Sequence, residues 1–291
     1  LLAGGLVMLV IRVRRGEIPW GPAAKVGAVV VVIMALGQLN QLVKLYRAYS
    51  TSEPLSTFWI FNLAGLLVLP LLGGLAAWLL TGLATSLYPD AWRILRGSAR
   101  RLWRRDAAVA IAVSLAGAAA LSHVTALITG RFHAHAPVQV DLVPDLFDAS
   151  WPGVGLLLRG VLSGLLLPAS AAVLIYLFRL GWTRRAWWLW LAALLVLVSL
   201  GPSFAHSMPE FLVGWGLSFL SLIGTLGLVA LFFRDNILAY VGAAFCLPLA
   251  QPLVELLSQP AAFFRWNGLI LAALMLAVLG WLLAGRESTE N

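Results

Sequence analysis

Long apolar runs, each closed by proline, glycine or charge, dominate the chain. They fall at Val26–Val43, Trp59–Leu80 (with a continuation toward Tyr88), Ala107–Thr129, Val154–Phe178, Ala186–Leu200, Phe211–Phe233, Ile237–Leu257 and Leu269–Ala284. Crossing the hydrocarbon core of a bilayer takes about 20 predominantly apolar residues in a helix. The pattern therefore predicts eight full transmembrane helices. A ninth run, Leu1–Ile11, has about half the necessary length. It reads as a truncated first helix, with the expectation that an N-terminal part precedes it.

Composition agrees with that reading. Of 291 residues 61% are hydrophobic and 11% charged, and the mean hydropathy is +0.93. A soluble domain carries about 25% charged residues, so this chain lacks the polar surface a soluble globule needs. The fold class expected is an all-α polytopic membrane protein. Cys246 is the single cysteine, which excludes an internal disulfide and a cysteine-based metal site.

A net charge of +8 would point to nucleic acid in a soluble protein, but here the placement of charge decides otherwise. Arg12, Arg14, Arg15 and Lys25 occupy the first loop, and six arginines between Arg93 and Arg105 the third. Arg179, Arg184 and Arg185 occupy the fifth, Arg234 the seventh, and Arg286 the tail. Those 15 lie on one side. Lys44, Arg47, Arg131 and Arg265 lie on the other, and Arg159 lies inside a span. The positive-inside rule then makes the arginine-rich side and the C-terminus cytoplasmic. No nucleic-acid module is present, and the expected location is a bacterial inner membrane. Trp187, Trp188 and Trp190 fit an aromatic belt beside Arg184 and Arg185.

Between residues 89 and 106, Arg93, Arg96, Arg100 and Arg104 recur at helical spacing, with Trp92, Leu95, Leu102 and Trp103 opposite. That spacing predicts an amphipathic helix on anionic lipid headgroups. The loop Gly130–Gly153 carries His133 and His135 with Asp141, Asp145 and Asp148. It reads as a solvated acidic loop, with His133 and His135 as weak candidates for a metal site. No cofactor is expected.

Ionisable groups inside spans are costly, about 3 kcal/mol or more at the bilayer centre, and are functional candidates. Arg159 sits about five residues inside the outer end of its helix, and Glu255 at a similar depth in the helix of Pro248 and Pro252. Snorkelling explains Arg159 simply, and an Arg159–Glu255 pair is the sharper alternative. Gln38, Asn40 and Gln41 cluster at one span end and are expected to form interhelical hydrogen bonds. His123 is expected to be packed. Ser203 and His206, in GPSFAHSMPE, have no acid to orient the histidine, so serine catalysis is set aside.

The second half, from Trp151 to Pro260, resembles the CPBP family, the CAAX-protease and bacteriocin-processing intramembrane endopeptidases. The residues that carry the resemblance are LIYLFRL (Leu174–Leu180), the basic loop after it, and an aromatic-rich span closing on FAH (Phe204–His206). A glycine-bearing span follows, ends in LVALFFRDNIL (Leu228–Leu238) and turns at once into the next helix. GEIPWGP (Gly16–Pro22) and YSTSEPLSTF (Tyr49–Phe58) are similar to extended bacterial members. The resemblance implies an EExxxR motif, an FxxxH motif and a later HxxxN or HxxxD. Here no acid occurs between Asp148 and Glu210, so the glutamate pair is missing in every register. Arg179 can stand for the motif arginine, with Leu174 and Ile175 in place of the glutamates; another register offers Leu167 and Pro168. His206 matches the FxxxH histidine, and nothing replaces the last histidine around Ala244–Pro248. Leucine, isoleucine, alanine and proline cannot activate water.

The organisation expected is a truncated first helix at 1–13, a three-helix membrane region at 14–148, a CPBP-like core at 149–285 and a tail at 286–291. The function expected is that of a catalytically inactive CPBP-like protein acting as a binding or scaffold subunit, with a protein partner or membrane complex. Vestigial positions are His206 and Arg179, and candidate binding positions are Arg159, Glu255, Phe245 and Pro248. A small-molecule or lipid transporter using Arg159, Glu255 and the polar end of the second span is the alternative. Another is an active endopeptidase with non-standard residues, its carboxylates supplied by the acidic loop or an N-terminal region.

Overall fold

The computed structural model describes residues 2–47, 49–50, 52, 54–89, 101–132, 149–183, 188, 194–196, 198, 205–233 and 236–283. Among them every regular element is helical. In chain order these are α1 (Leu2–Arg14), α2 (Trp20–Asn40), α3 (Leu42–Arg47), α4 (Leu55–Leu87), α5 (Arg101–Arg131), α6 (Pro152–Thr183) and α7 (Met208–Leu228). A π-helical segment (Val229–Phe233) continues α7, and α8 (Ile237–Ser258) and α9 (Ala262–Leu283) follow. Among the described residues seven helices are long and apolar enough to cross a membrane. The eighth predicted crossing, 186–200, lies mostly outside the described residues.

The observed helices overrun the predicted spans. Hydropathy marks only the segment in hydrocarbon, whereas a helix continues through the headgroup region wherever its flanks favour it. Thus α4 and α6 reach 33 and 32 residues. Arg101–Arg105, expected in a separate surface helix, form the first turns of α5 instead. Residues 90–100, with Arg93, Arg96 and Arg100, lie outside the described residues. The end of α1 is closed by Gly16 at φ 65°, a left-handed position suited to glycine, and by an Arg12–Glu17 ion pair.

Helix α6 is the hub, packing on α8, α4, α2, α9 and α1. The main core joins Ala107, Ala108 and Ile111 of α5 to Leu156 of α6, Cys246 and Leu249 of α8, and Leu271 and Met275 of α9. A smaller cluster joins Leu83 and Ala84 of α4 to Ala169 and Val173 of α6, with Met8 and Leu9 of α1 against it. Lipid tails are as apolar as leucine, so helix association in a bilayer depends on close packing at small residues. At the α2–α4 crossing the two backbones meet. A Cβ on Gly27 would stand 2.8 Å from the Gly74 carbonyl oxygen, and one on Gly74 2.9 Å from that of Gly27.

Contacts at the helix ends sort into two levels. At one, Gly82 of α4 faces Ile18 and Trp20, the Asn236 side chain donates to the Trp103 carbonyl (2.7 Å), and the Arg104 guanidinium lies 4.8 Å over the Trp281 ring. At the other, Asn40 of α2 meets Trp151 and Asn267 of α9 meets Gly153. Thus α2, α5 and α8 start and α4 and α9 end at the first level, whereas α2 ends and α6 and α9 start at the second. The described Arg12, Arg14, Arg15, Arg104 and Arg105 lie toward the first. The headgroup position Arg104 is half-buried and stacked on Trp281.

Candidate functional site

A clip of hydrogen bonds builds the site. The Asn40 side chain, buried at the end of α2, donates to the Trp151 carbonyl (3.0 Å) and accepts from the Trp151 N–H (2.8 Å). The Ser150 N–H donates to the Asn40 backbone carbonyl (3.0 Å). From α9, the Asn267 side chain accepts from the Gly153 N–H (3.0 Å) and donates to the Phe263 carbonyl (2.8 Å). The first turn of α6, whose N–H groups lack helical partners, is thus held from two sides. The expectation for Asn40 holds. Asn267 was not singled out in the sequence, because it precedes the apolar run that marked its span.

Beside this clip, between α2 and α6, lies a cavity of about 260 Å³. Gln38, Asn40, Gln41 and Arg159 supply its polar lining, and Ile33, Met34, Leu158 and Leu162 its apolar lining. Leu162 is ten residues beyond Pro152, so the cavity extends roughly 15 Å down the helix at 1.5 Å per residue. Cα–Cβ bonds tilt toward a helix N-terminus, so Arg159 leans toward the mouth, as snorkelling requires. Among the described residues no carboxylate lies within ion-pair distance of Arg159, and no hydrogen bond engages its guanidinium.

The Arg159–Glu255 pair is not formed. Gly160 faces Leu249 of α8, where an added Cβ would stand 2.9 Å from Leu249 Cδ1. Arg159 is one residue, 100°, around the helix from that contact, and it faces α2. The Glu255 carboxylate instead accepts from Gln251 Nε2 at 3.2 Å. Phe245 packs on Gly164 of α6, an added Cβ there lying 3.5 Å from Phe245 Cβ. Pro248 is half-buried, and α8 runs through Pro248 and Pro252 as one helix.

His206 and Arg179 are not brought together. His206 is exposed at the head of α7, which packs on α5, whereas Arg179 is exposed near the far end of α6. The His206 backbone N–H donates to Glu210 Oε2 (2.8 Å), and Ser207 Oγ accepts from the Glu210 N–H (3.4 Å). Ser207-x-x-Glu210 is therefore a helix cap of the capping-box kind, a pattern legible in the sequence and passed over there. His123, expected to be packed, is exposed among the described residues. His133, His135, Arg184, Arg185, Trp187, Trp190, Ser203, Arg234 and the tail 286–291 lie outside the described residues. Among the described residues no group of three or more His, Cys, Asp or Glu is placed to hold a metal ion.

Fold and site define the class: a polytopic, all-helical membrane protein with a polar cavity near one end of its bundle. Compared with protein-family models, curated proteins and solved structures, the chain matches none.

Proposed function

We propose that this chain is a CPBP-like protein of the bacterial inner membrane that binds rather than cleaves, acting as a scaffold or binding subunit with its arginine-rich face and C-terminus cytoplasmic. One observation carries the reading. The α6–α8 interface, where the resembling family does its chemistry, is filled by Phe245 on Gly164 and Leu249 on Gly160, while the polar cavity lies on another face of α6. Water activation needs a carboxylate or histidine beside the scissile bond, and α6 carries no acid. Arg93, Arg96 and Arg100 supply the attraction to anionic headgroups, and a protein partner completes the complex.

The test is catalytic. Full-length protein in liposomes is incubated with membrane-spanning peptides, alone and with divalent metal ions. No cleavage is expected. Cleavage that His206→Ala abolishes would overturn the reading in favour of an active endopeptidase.

The cavity itself favours a second reading, transport of a small molecule or lipid. Its apolar lining at Ile33, Met34 and Leu162 supports occupancy over passage, and a flux assay in the same liposomes separates the two.

A further inference from the structure

We infer that the Arg159 cavity is a binding site for an oxyanion-headed amphiphile, a phosphate or carboxylate head on an acyl chain. The inference rests on the proposal that the chain binds rather than cleaves, and it names what is bound.

Three observations converge. First, Arg159 is a permanent cation inside a membrane helix with no ion-pair partner among the described residues. A guanidinium presents its donors in a planar fork that matches a phosphate or carboxylate in bidentate fashion. Second, the half-buried Gln38 and the exposed Gln41 line the same cavity, and among the described residues no hydrogen bond engages either side-chain amide. Each can donate two N–H groups to further oxygens. Asn40, by contrast, is fully occupied by Trp151. Third, polarity changes with depth. Gln38 and Gln41 stand at the mouth, Arg159 leans back toward them from the level of Ile33 and Met34, and Leu162 lies almost a turn below Arg159. A simple inorganic anion satisfies only the upper half, whereas an amphiphile satisfies both.

Size narrows the occupant. The cavity measures about 260 Å³. That is room for a headgroup and the first part of a chain. The rest of the chain stays in the bilayer. Phospholipid and free fatty acid share this chemistry, and the experiment separates them.

Full-length protein in neutral detergent is titrated with phosphatidylglycerol, oleate, phosphatidylcholine and inorganic phosphate, and bound species are counted by native mass spectrometry. The expected result is saturable 1:1 binding of phosphatidylglycerol or oleate, weakened at least tenfold by Arg159→Gln and by a smaller, severalfold factor by Arg159→Lys, which keeps the charge and loses the fork. Arg265→Gln, which removes an exposed cation at the same end, leaves binding unchanged. The tighter of the two amphiphiles identifies the source. Equal losses in Arg159→Gln and Arg265→Gln would reduce the effect to surface attraction and overturn the inference. Phosphatidylcholine or inorganic phosphate binding as tightly as both amphiphiles would overturn it too. If Arg159→Gln fails to fold, Gln38→Ala with Gln41→Ala serves instead, with a severalfold loss expected and an unchanged affinity counting against the site. Peptide cleavage is measured on the same preparation. Cleavage with intact amphiphile binding removes the non-catalytic reading alone, and absent binding without cleavage removes the ligand alone.

Discussion

At Asn40 a single amide joins two helices: its oxygen and its nitrogen both engage the Trp151 backbone. Hydrogen bonds between membrane helices average only about 0.6 kcal/mol by double-mutant cycles, but truncating one partner leaves buried groups unpaired at about 1–3 kcal/mol. Asn40→Ala strands the Trp151 N–H, whose carbonyl keeps the Gly155 N–H as donor, and is expected to lower unfolding stability by about 1–3 kcal/mol, read from reversible unfolding in mixed micelles. Asn267→Ala strands the Gly153 N–H at a half-buried position, against the buried Asn40, and should cost less. Equal losses would show that the two amides do not differ in the way their burial predicts. Polar residues in these spans thus divide by task. Asn40, Asn236 and Asn267 are consumed by structure, whereas Arg159, Gln38 and Gln41 have no side-chain partner among the described residues.

Helices here meet where side chains are smallest. The Gly27–Gly74 crossing brings backbone to backbone, and an added methyl at Gly74 would also collide with Val31. Overpacking of this kind costs about 1–3 kcal/mol. Gly74→Ala should therefore lower the thermal unfolding midpoint and loosen α2 from α4. Gly65 lies in the same helix with nothing within 4 Å of an added Cβ. Gly65→Ala should be neutral or stabilising by up to about 1 kcal/mol, since glycine is the weaker helix former. A midpoint unchanged in Gly74→Ala would mean the crossing is wider than described. The same packing sets the site, because α2 forms one wall of the Arg159 cavity and α4 holds α2 in place.

At the scale of the whole bundle, the ends of the described helices fall at two levels. Cys246 is fully buried, so in the folded protein it should resist maleimide and leave a silent background for introduced cysteines. With a membrane-impermeant maleimide, Ala149→Cys and Arg105→Cys should label from opposite sides of a sealed membrane, Arg105→Cys from the cytoplasmic one. Labelling of both from the same side would break the alternation on which the charge count depends. Denaturation should then expose Cys246 and supply an internal measure of unfolding.

Hydropathy and charge alone sufficed for the class of protein and for the approximate place of each described crossing. Desolvation acts on each segment independently of its neighbours: a run of 20 apolar residues is driven into hydrocarbon whatever it packs against. Pairing between helices obeys no such local rule. Arg159 and Glu255 lie at similar depths, and a linear reading joins them, yet Gly160 seats α6 on Leu249 and carries Arg159 100° away, to Gln38 and Gln41. Similarly, the sequence resemblance groups His206 with Arg179, but the two sit on helices that pack elsewhere. Depth is a property of a segment, whereas the face a residue presents is a property of the packed bundle, and that packing chose the site.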